Sequence, residues 1–336
     1  MNRTILVLLA AGVVAACQDA TAPRTARPSA SPAAAAASAA GAQVAVGNNL
    51  FAVVNANGTL ASGNGVTSVS ASGFGTFEVT FNQNVSQCAY VATTVNNFSQ
   101  ALQVFTASGH ASVNGVYVET KNQGGGLTAV PFHLVVSCNN VLPFAVIDYN
   151  GALVRSSGGV SVSGSFGIYR ITVPQSVAPC AYLATVADPS NGLVFSPAGV
   201  YTASGANTSE VYVETKNPGG GVQAGIPFHL MLVCAGAPRT GYAVVKSTGT
   251  FQRGSPAGGT IAHPSTGLYT ITAPFQIGAC AKVLTRGSNN ASAPFNPATV
   301  EIGMSSTSTK FTAEVRSLLF FGGNLFDEAF HTAVVC

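Results

Sequence analysis

Three histidines precede three cysteines at one fixed spacing, and no other motif in the chain has a clearer chemical potential. His133, His229 and His331 each stand five residues before a cysteine, in the pattern Phe-His-x4-Cys. Imidazole and thiolate are ligands that zinc prefers, but a metal site needs several converging ligands. Each motif offers one histidine beside a cysteine that a disulfide would occupy, and strand alternation turns the histidine away from the face of its phenylalanine. We therefore expect neither a metal nor another cofactor at these histidines.

A second polar motif, Glu-x-Lys or Glu-x-Arg, also occurs three times. Side chains two residues apart on a strand share a face, so we interpret each motif as a solvent-facing ion pair near a hairpin tip, worth less than about 1 kcal/mol. The pairs are Glu119 with Lys121, Glu214 with Lys216, and Glu314 with Arg316. The alternative is a polar surface that touches a ligand, with Glu119, Lys121, His133, Glu214, Lys216 and His229 as its candidate residues.

Motifs of familiar catalytic centres are missing from the sequence. The chain contains no Gly-x-Ser-x-Gly, no His-Glu-x-x-His and no phosphate-binding glycine loop. General acid and base catalysis of glycoside hydrolysis needs two carboxylates that flank one bond, and no second acid recurs beside Glu119 and its equivalents. We expect no catalytic residue and a protein that is not an enzyme.

Charged residues are scarce, and this excludes one class of partner. Lys, Arg, Asp and Glu make up 7% of the chain, whereas soluble proteins average about 25%. Nucleic-acid binding needs clustered basic residues, so we expect no nucleic-acid partner. The surface is expected to consist of Ser, Thr, Asn and Gly.

Six cysteines follow Cys17, and their spacing reveals an internal repeat. Residues 116–138 and 211–234 are nearly the same sequence, and a diverged third copy ends at residue 336. An even number of cysteines in an exported protein indicates disulfides. The repeat favours one disulfide in each copy, worth about 4 kcal/mol on the chain-entropy model. The expected pairs are Cys88 with Cys138, Cys180 with Cys234, and Cys280 with Cys336.

Hydrophobic residues alternate over short runs, which is the period of half-buried strands. Residues 76–81, 168–173 and 268–272 have this pattern, and Asn57-Gly58 predicts a hairpin turn. No window predicts a long amphipathic helix. We expect an all-β protein of three tandem antiparallel Ig-like β-sandwiches with one disulfide each. Within repeat 1, residues 116–120 and 132–138 are expected to be adjacent strands of a hairpin.

The N-terminus is typical of an export signal. Arg3 precedes the apolar run 5–14, which is too short to span a bilayer as a helix, and small residues lead to Cys17. Residues 14–17, Val-Ala-Ala-Cys, resemble the lipobox of bacterial lipoproteins. The resemblance implies that Cys17 carries the lipid anchor, and Gln18 after it favours the outer membrane. The alternative is an ordinary signal peptide with an incidental cysteine.

Composition divides the chain into a tether and three repeats. Residues after Cys17 are rich in Ala, Pro and Ser without apolar periodicity, so we expect them to be disordered. The expected organisation is a signal peptide at 1–16, the lipidated cysteine and tether at 17–45, and repeats 1, 2 and 3 at 46–140, 141–237 and 238–336.

The third repeat lacks the glycine-rich turn of the other two. Leu318, Leu319, Phe320 and Phe321 stand in its place, and an exposed apolar tip would mark a partner site. The alternative is that these side chains cover the end of the third repeat or dock on the second.

The shared segments CAY-x-AT, VYV-x-T and PFHL before a cysteine resemble an uncharacterised repeat unit of secreted bacterial proteins. The resemblance implies a β fold and an extracellular setting, and it implies no site. We expect an exported, lipid-anchored envelope protein with a structural, adhesive or protein-interaction role. Its partners would be the membrane, through the lipid anchor, and an envelope protein or a polysaccharide.

Two other functions stay open at this point. One is a carbohydrate-binding array on the cell surface, in which weak sites gain avidity by repetition. Its stacking residues would be Tyr90, Tyr117, Tyr182 and Tyr212. The other is a secreted hydrolase whose catalytic set is assembled across repeats.

Overall fold

Alternating apolar and polar residues form strands, and glycine, asparagine and serine fill the turns between them. The computed structural model describes residues 49–96, 100–138, 142–190, 192, 197–288, 296–318 and 323–336. Every secondary-structure element in these ranges is a β-strand, so the all-β prediction is confirmed. Ala45–Cys336 form one compact unit. The export signal, Cys17 and the tether lie outside the described residues, as do Leu319, Phe320 and Phe321.

Each repeat supplies eight of the 24 strands that lie in the described ranges. Repeat 1 contains β1 (Leu50–Val54), β2 (Leu60–Asn64), β3 (Val66–Gly73), β4 (Thr76–Phe81), β5 (Ala89–Asn96), β6 (Leu102–Ser108), β7 (Gly115–Asn122) and β8 (Phe132–Ser137). Repeat 2 contains β9 (Phe144–Ile147), β10 (Leu153–Ser156), β11 (Ser161–Ser165), β12 (Ile168–Thr172), β13 (Cys180–Asp188), β14 (Gly199–Ser204), β15 (Glu210–Lys216) and β16 (Phe228–Cys234). Repeat 3 contains β17 (Thr240–Val245), β18 (Phe251–Ser255), β19 (Thr260–Ser265), β20 (Leu268–Thr272), β21 (Ala281–Arg286), β22 (Ala298–Ser306), β23 (Lys310–Ser317) and β24 (Phe330–Val335).

The eight strands of each repeat divide into two antiparallel groups of four. In repeat 1 the orders are β2-β1-β8-β5 and β3-β4-β7-β6, and the equivalent strands of repeats 2 and 3 follow the same orders. A hydrophobic cluster in each repeat draws residues from both groups. One aromatic contact between the groups recurs in every repeat with ring centroids 5.0–5.3 Å apart: Phe77 with Phe132, Tyr169 with Phe228, and Tyr269 with Phe330.

One disulfide in each repeat links an outer strand of one group (β5, β13 or β21) to the inner strand beside it (β8, β16 or β24). Cys88 pairs with Cys138, Cys180 with Cys234, and Cys280 with Cys336. These are the pairs that the internal repeat predicts. Each bridge joins the start of one strand to the end of the repeat, so it ties together positions 50–56 residues apart.

The predicted hairpin between residues 116–120 and 132–138 is wrong. β7 pairs with β4 and β6, whereas β8 pairs with β1 and β5, so the glycine-containing connection crosses from one group of strands to the other. The nine residues between Asn122 and Phe132 are too many for a tight two-residue turn. Instead the connection folds on itself, where Asn122 Oδ1 accepts the Gly126 N–H at 3.0 Å.

The three repeats close into a ring. β6 of repeat 1 pairs in parallel with β13 of repeat 2, and β22 of repeat 3 pairs in parallel with β5 of repeat 1. Thr202 and Gly287 form the equivalent parallel bridge between repeats 2 and 3. The contacts therefore run from repeat 1 to 2, from 2 to 3 and from 3 back to 1, which is the contact pattern of approximate threefold rotational symmetry. A fourth hydrophobic cluster, which includes Val91, Leu183 and Val283, lies where all three meet.

Candidate functional site

The three histidines lie at the contacts between repeats, and each accepts a hydrogen bond from the backbone of another repeat. Strand alternation places His133 on the face opposite Phe132, and a neighbouring repeat covers that face. In each bond a backbone N–H on the open edge of β5, β13 or β21 donates to a histidine Nδ1 at 2.8–2.9 Å. The donors and acceptors are Tyr90 to His229, Tyr182 to His331, and Lys282 to His133. The histidines thus satisfy edge groups that would otherwise be buried without a partner.

Three threonines complete the same edge, and the sequence analysis missed them. Thr185 Oγ1 accepts the Ala92 N–H at 2.9 Å and donates to the Ala92 carbonyl at 3.2 Å. Thr285 makes the same two bonds with Ala184, and Thr93 makes them with Leu284. Their signal was present, because a threonine follows the first cysteine of every repeat by five residues.

Burial keeps all three imidazoles neutral. Burial, and secondarily the positive charge of Lys282, lowers the pKa of His133 to about 3. Burial and Arg253 lower the pKa of His331 to about 3, and burial and Arg155 hold the pKa of His229 well below its usual value. A neutral ring that accepts at Nδ1 carries its proton on Nε2. These histidines act as structural hydrogen-bond acceptors between repeats.

The interfaces differ in one matched pair of residues. An arginine of the next repeat stacks on the tyrosine after Cys-Ala at two interfaces: Arg155 over Tyr90 at 5.8 Å and Arg253 over Tyr182 at 5.3 Å. At the third interface Ser62 occupies the strand position of the arginine and Lys282 that of the tyrosine. The missing tyrosine of repeat 3 therefore coincides with the loss of its cationic partner on repeat 1.

The Glu-x-Lys pairs are formed, but the prediction that they face solvent is wrong. Lys121 Nζ lies 2.8 Å from Glu119 Oε2, and both residues are buried. The Phe105 ring covers the ammonium group at 4.8 Å, and the Tyr117 hydroxyl donates to Glu119 at 3.2 Å. Lys216 and Glu214 repeat this arrangement under Tyr201 and Tyr212. Aromatic neighbours on adjacent strands are the physical reason for the burial.

The six residues of the predicted ligand surface do not form one exposed surface. His133 and His229 lie on the group of strands that faces the other repeats, and Glu119 and Lys121 lie on the other group. All four are at most 6% exposed. Two of the tyrosines considered for sugar stacking, Tyr90 and Tyr182, are also fully buried, since they belong to the repeat cores.

Leu318, the described member of the predicted apolar patch, is also buried. Its N–H donates to the Pro297 carbonyl at 3.0 Å, and its carbonyl accepts from Gln123 of repeat 1 at 2.9 Å. Leu318 thus contributes to the contact between repeats 3 and 1, whereas the alternative in the sequence analysis named repeat 2 as the docking partner.

Glu301 is a buried carboxylic acid at a position that is aromatic in the other repeats. It occupies the strand position of Phe105 and Tyr201. Its Oε1 accepts the Leu102 N–H of repeat 1 at 2.7 Å and the Thr299 hydroxyl at 2.5 Å, while Oε2 has no partner among the described residues. Burial raises the pKa of Glu301 to about 8. The side chain is therefore largely protonated at neutral pH.

Replacing Glu301 by glutamine is expected to remove a pH-dependent loss of stability. A carboxyl whose pKa is raised by folding stabilises the fold fully below the unfolded pKa of 4.5, and this contribution is lost as the pH rises through about 8. The glutamine oxygen still accepts the Leu102 N–H. We expect E301Q to exceed the wild-type free energy of unfolding by about 4–5 kcal/mol near pH 8.5 and by less than about 1 kcal/mol near pH 4.5. Urea unfolding at both pH values measures this difference, and parallel pH profiles of the two proteins would contradict it.

A polar cavity of about 80 Å³ lies at the meeting point of the three repeats. Equivalent segments of each repeat line it, at residues 92–94, 184–186 and 284–286 and at the starts of β6, β14 and β22. Its volume suits a few water molecules. Gln103 lines this cavity, and its amide group has no hydrogen-bond partner among the described residues.

An apolar cavity of about 40 Å³ lies within repeat 3, where two side chains are small. Gly241 and Ala273 line it at the strand positions that Leu50 and Phe81 occupy in repeat 1. The cavity is thus space that larger side chains fill elsewhere in the molecule.

Replacing Ala273 by valine, the residue of repeat 2, is expected to stabilise the protein. Filling a cavity of 40 Å³ corresponds to about 1 kcal/mol, so A273V should raise the free energy of urea unfolding by up to that amount. The matched control is V173A in repeat 2, which should lower the same quantity by about 1–2 kcal/mol. A destabilised A273V would show that the surrounding side chains leave no room for the added methyl groups.

Across the described ranges, no helix is long and apolar enough to cross a membrane, and no three His, Cys, Asp or Glu side chains are grouped so that they could hold a metal ion. Comparison with protein-family models, with curated proteins and with solved structures finds no match.

Proposed function

We propose that this chain is a lipid-anchored protein of the bacterial cell envelope, exported to the outer membrane, with a structural, adhesive or interaction role and no enzymatic turnover. The lipobox-like residues 14–17 and the three disulfides support export and anchoring. Each repeat is proposed to be an Ig-like β-sandwich, held off the membrane by residues 17–45.

The observation that carries this proposal is the use of the recurring polar side chains. His133, His229 and His331 accept backbone hydrogen bonds between repeats. Thr93, Thr185 and Thr285 do the same, and Lys121 and Lys216 pair with glutamates under aromatic rings. The repeated polar side chains therefore stabilise the three repeats and the contacts between them. A rigid ring of this kind suits a protein that presents a surface to a binding partner.

The intact mass of the membrane-extracted protein tests the anchoring proposal. We expect a chain that starts at Cys17 and carries acyl groups, and we expect C17S to be released from the membrane fraction. A mature chain that starts with an unmodified Gln18 or with an earlier alanine would contradict the proposal.

Glycan binding is a second candidate function, and one observation favours it. Two aromatic side chains, Tyr149 and Phe166, are 65% and 81% exposed on neighbouring loops of repeat 2. Because the equivalent loops differ between the repeats, a single site on repeat 2 is favoured over an array of three equal sites.

A further inference from the structure

Three loops of repeat 2 meet at one end of its strands. They are the turn after β9, the turn between β11 and β12, and the connection between β15 and β16. A Cβ atom on Gly167 would lie 2.9 Å from Val222 Cγ1, and one on Gly225 would lie 3.9 Å from the Tyr149 carbonyl oxygen. We call Tyr149, Phe166 and Val222, which these loops carry, the aromatic cap. All three side chains are exposed.

Phe166 has an unfavourable backbone conformation as well as an exposed ring. It has φ 54° and is followed by Gly167 at φ 85°, in a two-residue connection between Ser165 and Ile168. A hairpin turn with positive φ at both central residues favours Asn-Gly, since bulky residues are strained there. An asparagine would relieve the strain, so the fold gains nothing from phenylalanine at this position.

The same loops carry different residues in the other repeats. Repeat 1 has Ala56, Phe74 and Leu127 at these positions, and repeat 3 has Ser247, Thr266 and Leu325. Among these three loop sets, only that of repeat 2 carries two aromatic side chains, Tyr149 and Phe166, and both are exposed. Loops that diverge on a shared strand framework are where binding residues concentrate.

The surroundings of the aromatic cap are polar, and the carboxylate of Asp148, whose partners are neutral N–H groups, would repel an anionic ligand. Asn150 is exposed and Gln223 is partly exposed beside it. Asp148 Oδ1 is engaged with the N–H groups of Asn150 and Ala152 at 2.9 and 2.8 Å, and Lys216 is paired with Glu214. A pyranose ring has an apolar C–H face and a rim of hydroxyl groups. It matches an aromatic centre that is bordered by amide groups.

The aromatic cap is also remote from the point where the N-terminal segment joins the ring. Asn49 Nδ2 donates to the Pro238 carbonyl at 2.8 Å, just after the disulfide end of repeat 2. The aromatic cap lies at the other end of the same strands, where β9 ends and β16 begins. A chain held at its N-terminus would leave this end free for a partner.

We propose that the aromatic cap binds a neutral polysaccharide, with Phe166 and Tyr149 stacking on sugar rings and Asn150 and Gln223 bonding to hydroxyl groups. This inference rests on the proposed role in envelope interactions and names the chemical class of the partner.

Calorimetric titration of the full chain with a neutral glucose hexasaccharide and a neutral N-acetylglucosamine hexasaccharide tests the proposal. We expect at least one probe to bind, and we expect F166N and Y149N each to weaken that binding at least tenfold. F166N should meanwhile raise the urea midpoint of unfolding, because asparagine suits positive φ. Weaker binding would then not result from a damaged fold.

The matched control is F74N, since Phe74 is an exposed phenylalanine on the equivalent hairpin of repeat 1 and has no aromatic neighbour at Ala56. It should leave the affinity unchanged. The proposal is overturned if neither hexasaccharide binds, if F166N binds as the wild type does, or if F74N weakens binding equally. Binding of an envelope protein alone would also overturn it. Acylation of Cys17, measured on the same preparation, keeps a failure of anchoring separate from a failure of glycan binding.

Discussion

Lowering the pH from about 7 to about 4.5 is expected to destabilise the ring severely, because three buried histidines must take up protons. Each has a pKa lowered by folding, to about 3 for His133 and His331. The neutral form therefore stabilises the fold fully above the unfolded pKa of 6.5, and this contribution is lost as the pH falls from 6.5 toward 3. Protonation at Nδ1 also removes the acceptor of a backbone N–H.

His133 and His331 together would cost about 5 kcal/mol near pH 4.5, which reaches the lower end of the stability of an ordinary domain, and His229 adds to this loss. Glu301 acts in the opposite direction over the same pH range, so the net loss is smaller by a few kcal/mol. Urea unfolding measured in steps between pH 7 and pH 4 gives the slope of stability against pH. The slope reports how many more protons the unfolded chain binds than the folded one.

Asparagine variants separate the histidines from other acid effects. An asparagine oxygen can accept the backbone N–H in place of Nδ1 and does not titrate. H133N, H229N and H331N should each reduce the acid slope by about one proton, at some cost in stability at neutral pH from the smaller side chain. If the triple variant lost stability in acid as steeply as the wild type, other groups would be responsible.

Deleting repeat 3 is expected to abolish the folded state of the remaining two repeats. The truncated chain would leave the N–H groups of Tyr182 and Ala184 without His331 and Thr285. It would also expose apolar residues of the central cluster, among them Leu183 and Met231. Each unpaired buried group costs about 1–3 kcal/mol, and the exposed cluster costs more. A chain that ends at Cys234 should lack a cooperative thermal transition by circular dichroism, or should associate in sedimentation.

A circular permutant is the control for this deletion. Asn49 Nδ2 donates to the Pro238 carbonyl at 2.8 Å, and the Cys336 N–H donates to the Arg239 carbonyl at 2.9 Å. Because Pro238 and Arg239 are consecutive, residues 49 and 336 lie close together. A short linker from Cys336 to Asn49, with a new start at Leu142, keeps every contact between repeats. We expect this permutant to unfold within a few degrees of the wild type. A stable two-repeat chain beside an unstable permutant would mean that chain order, rather than ring closure, holds the molecule together.

Features encoded by the spacing of residues, by alternation or by a short turn motif could be predicted from the sequence. The disulfides followed from the spacing of Cys88, Cys138 and their equivalents, and Asn57-Gly58 does mark the turn between β1 and β2, where Gly58 has φ 80°. Alternation also placed His133 on the face opposite Phe132. Such features are encoded within a few residues or by repetition, so a single sequence contains enough information to recover them.

Features that depend on partners distant in the chain, or on what covers a side chain, could not be predicted. The residue that donates to His229 is Tyr90, 139 positions earlier in the chain, and no local pattern specifies a partner so distant. The Glu119–Lys121 pair was expected in solvent because alternation identifies a shared face and does not say what covers it. Phe166 was missed because its significance comes from its exposure and its φ angle, neither of which a single phenylalanine reveals.

Ser62 and Lys282 replace, at one interface between repeats, the arginine and tyrosine of the other two interfaces, so the three interfaces can change independently. In a symmetric assembly of three identical chains, any substitution at the interface occurs three times, so each change must suit every copy of the contact at once. Here the three copies are joined in one chain, and a change at one interface is met by an answering change at that interface alone. Two repeats can therefore keep the framework intact while one repeat acquires a residue, such as Tyr149, that an assembly of three identical chains would have to carry three times.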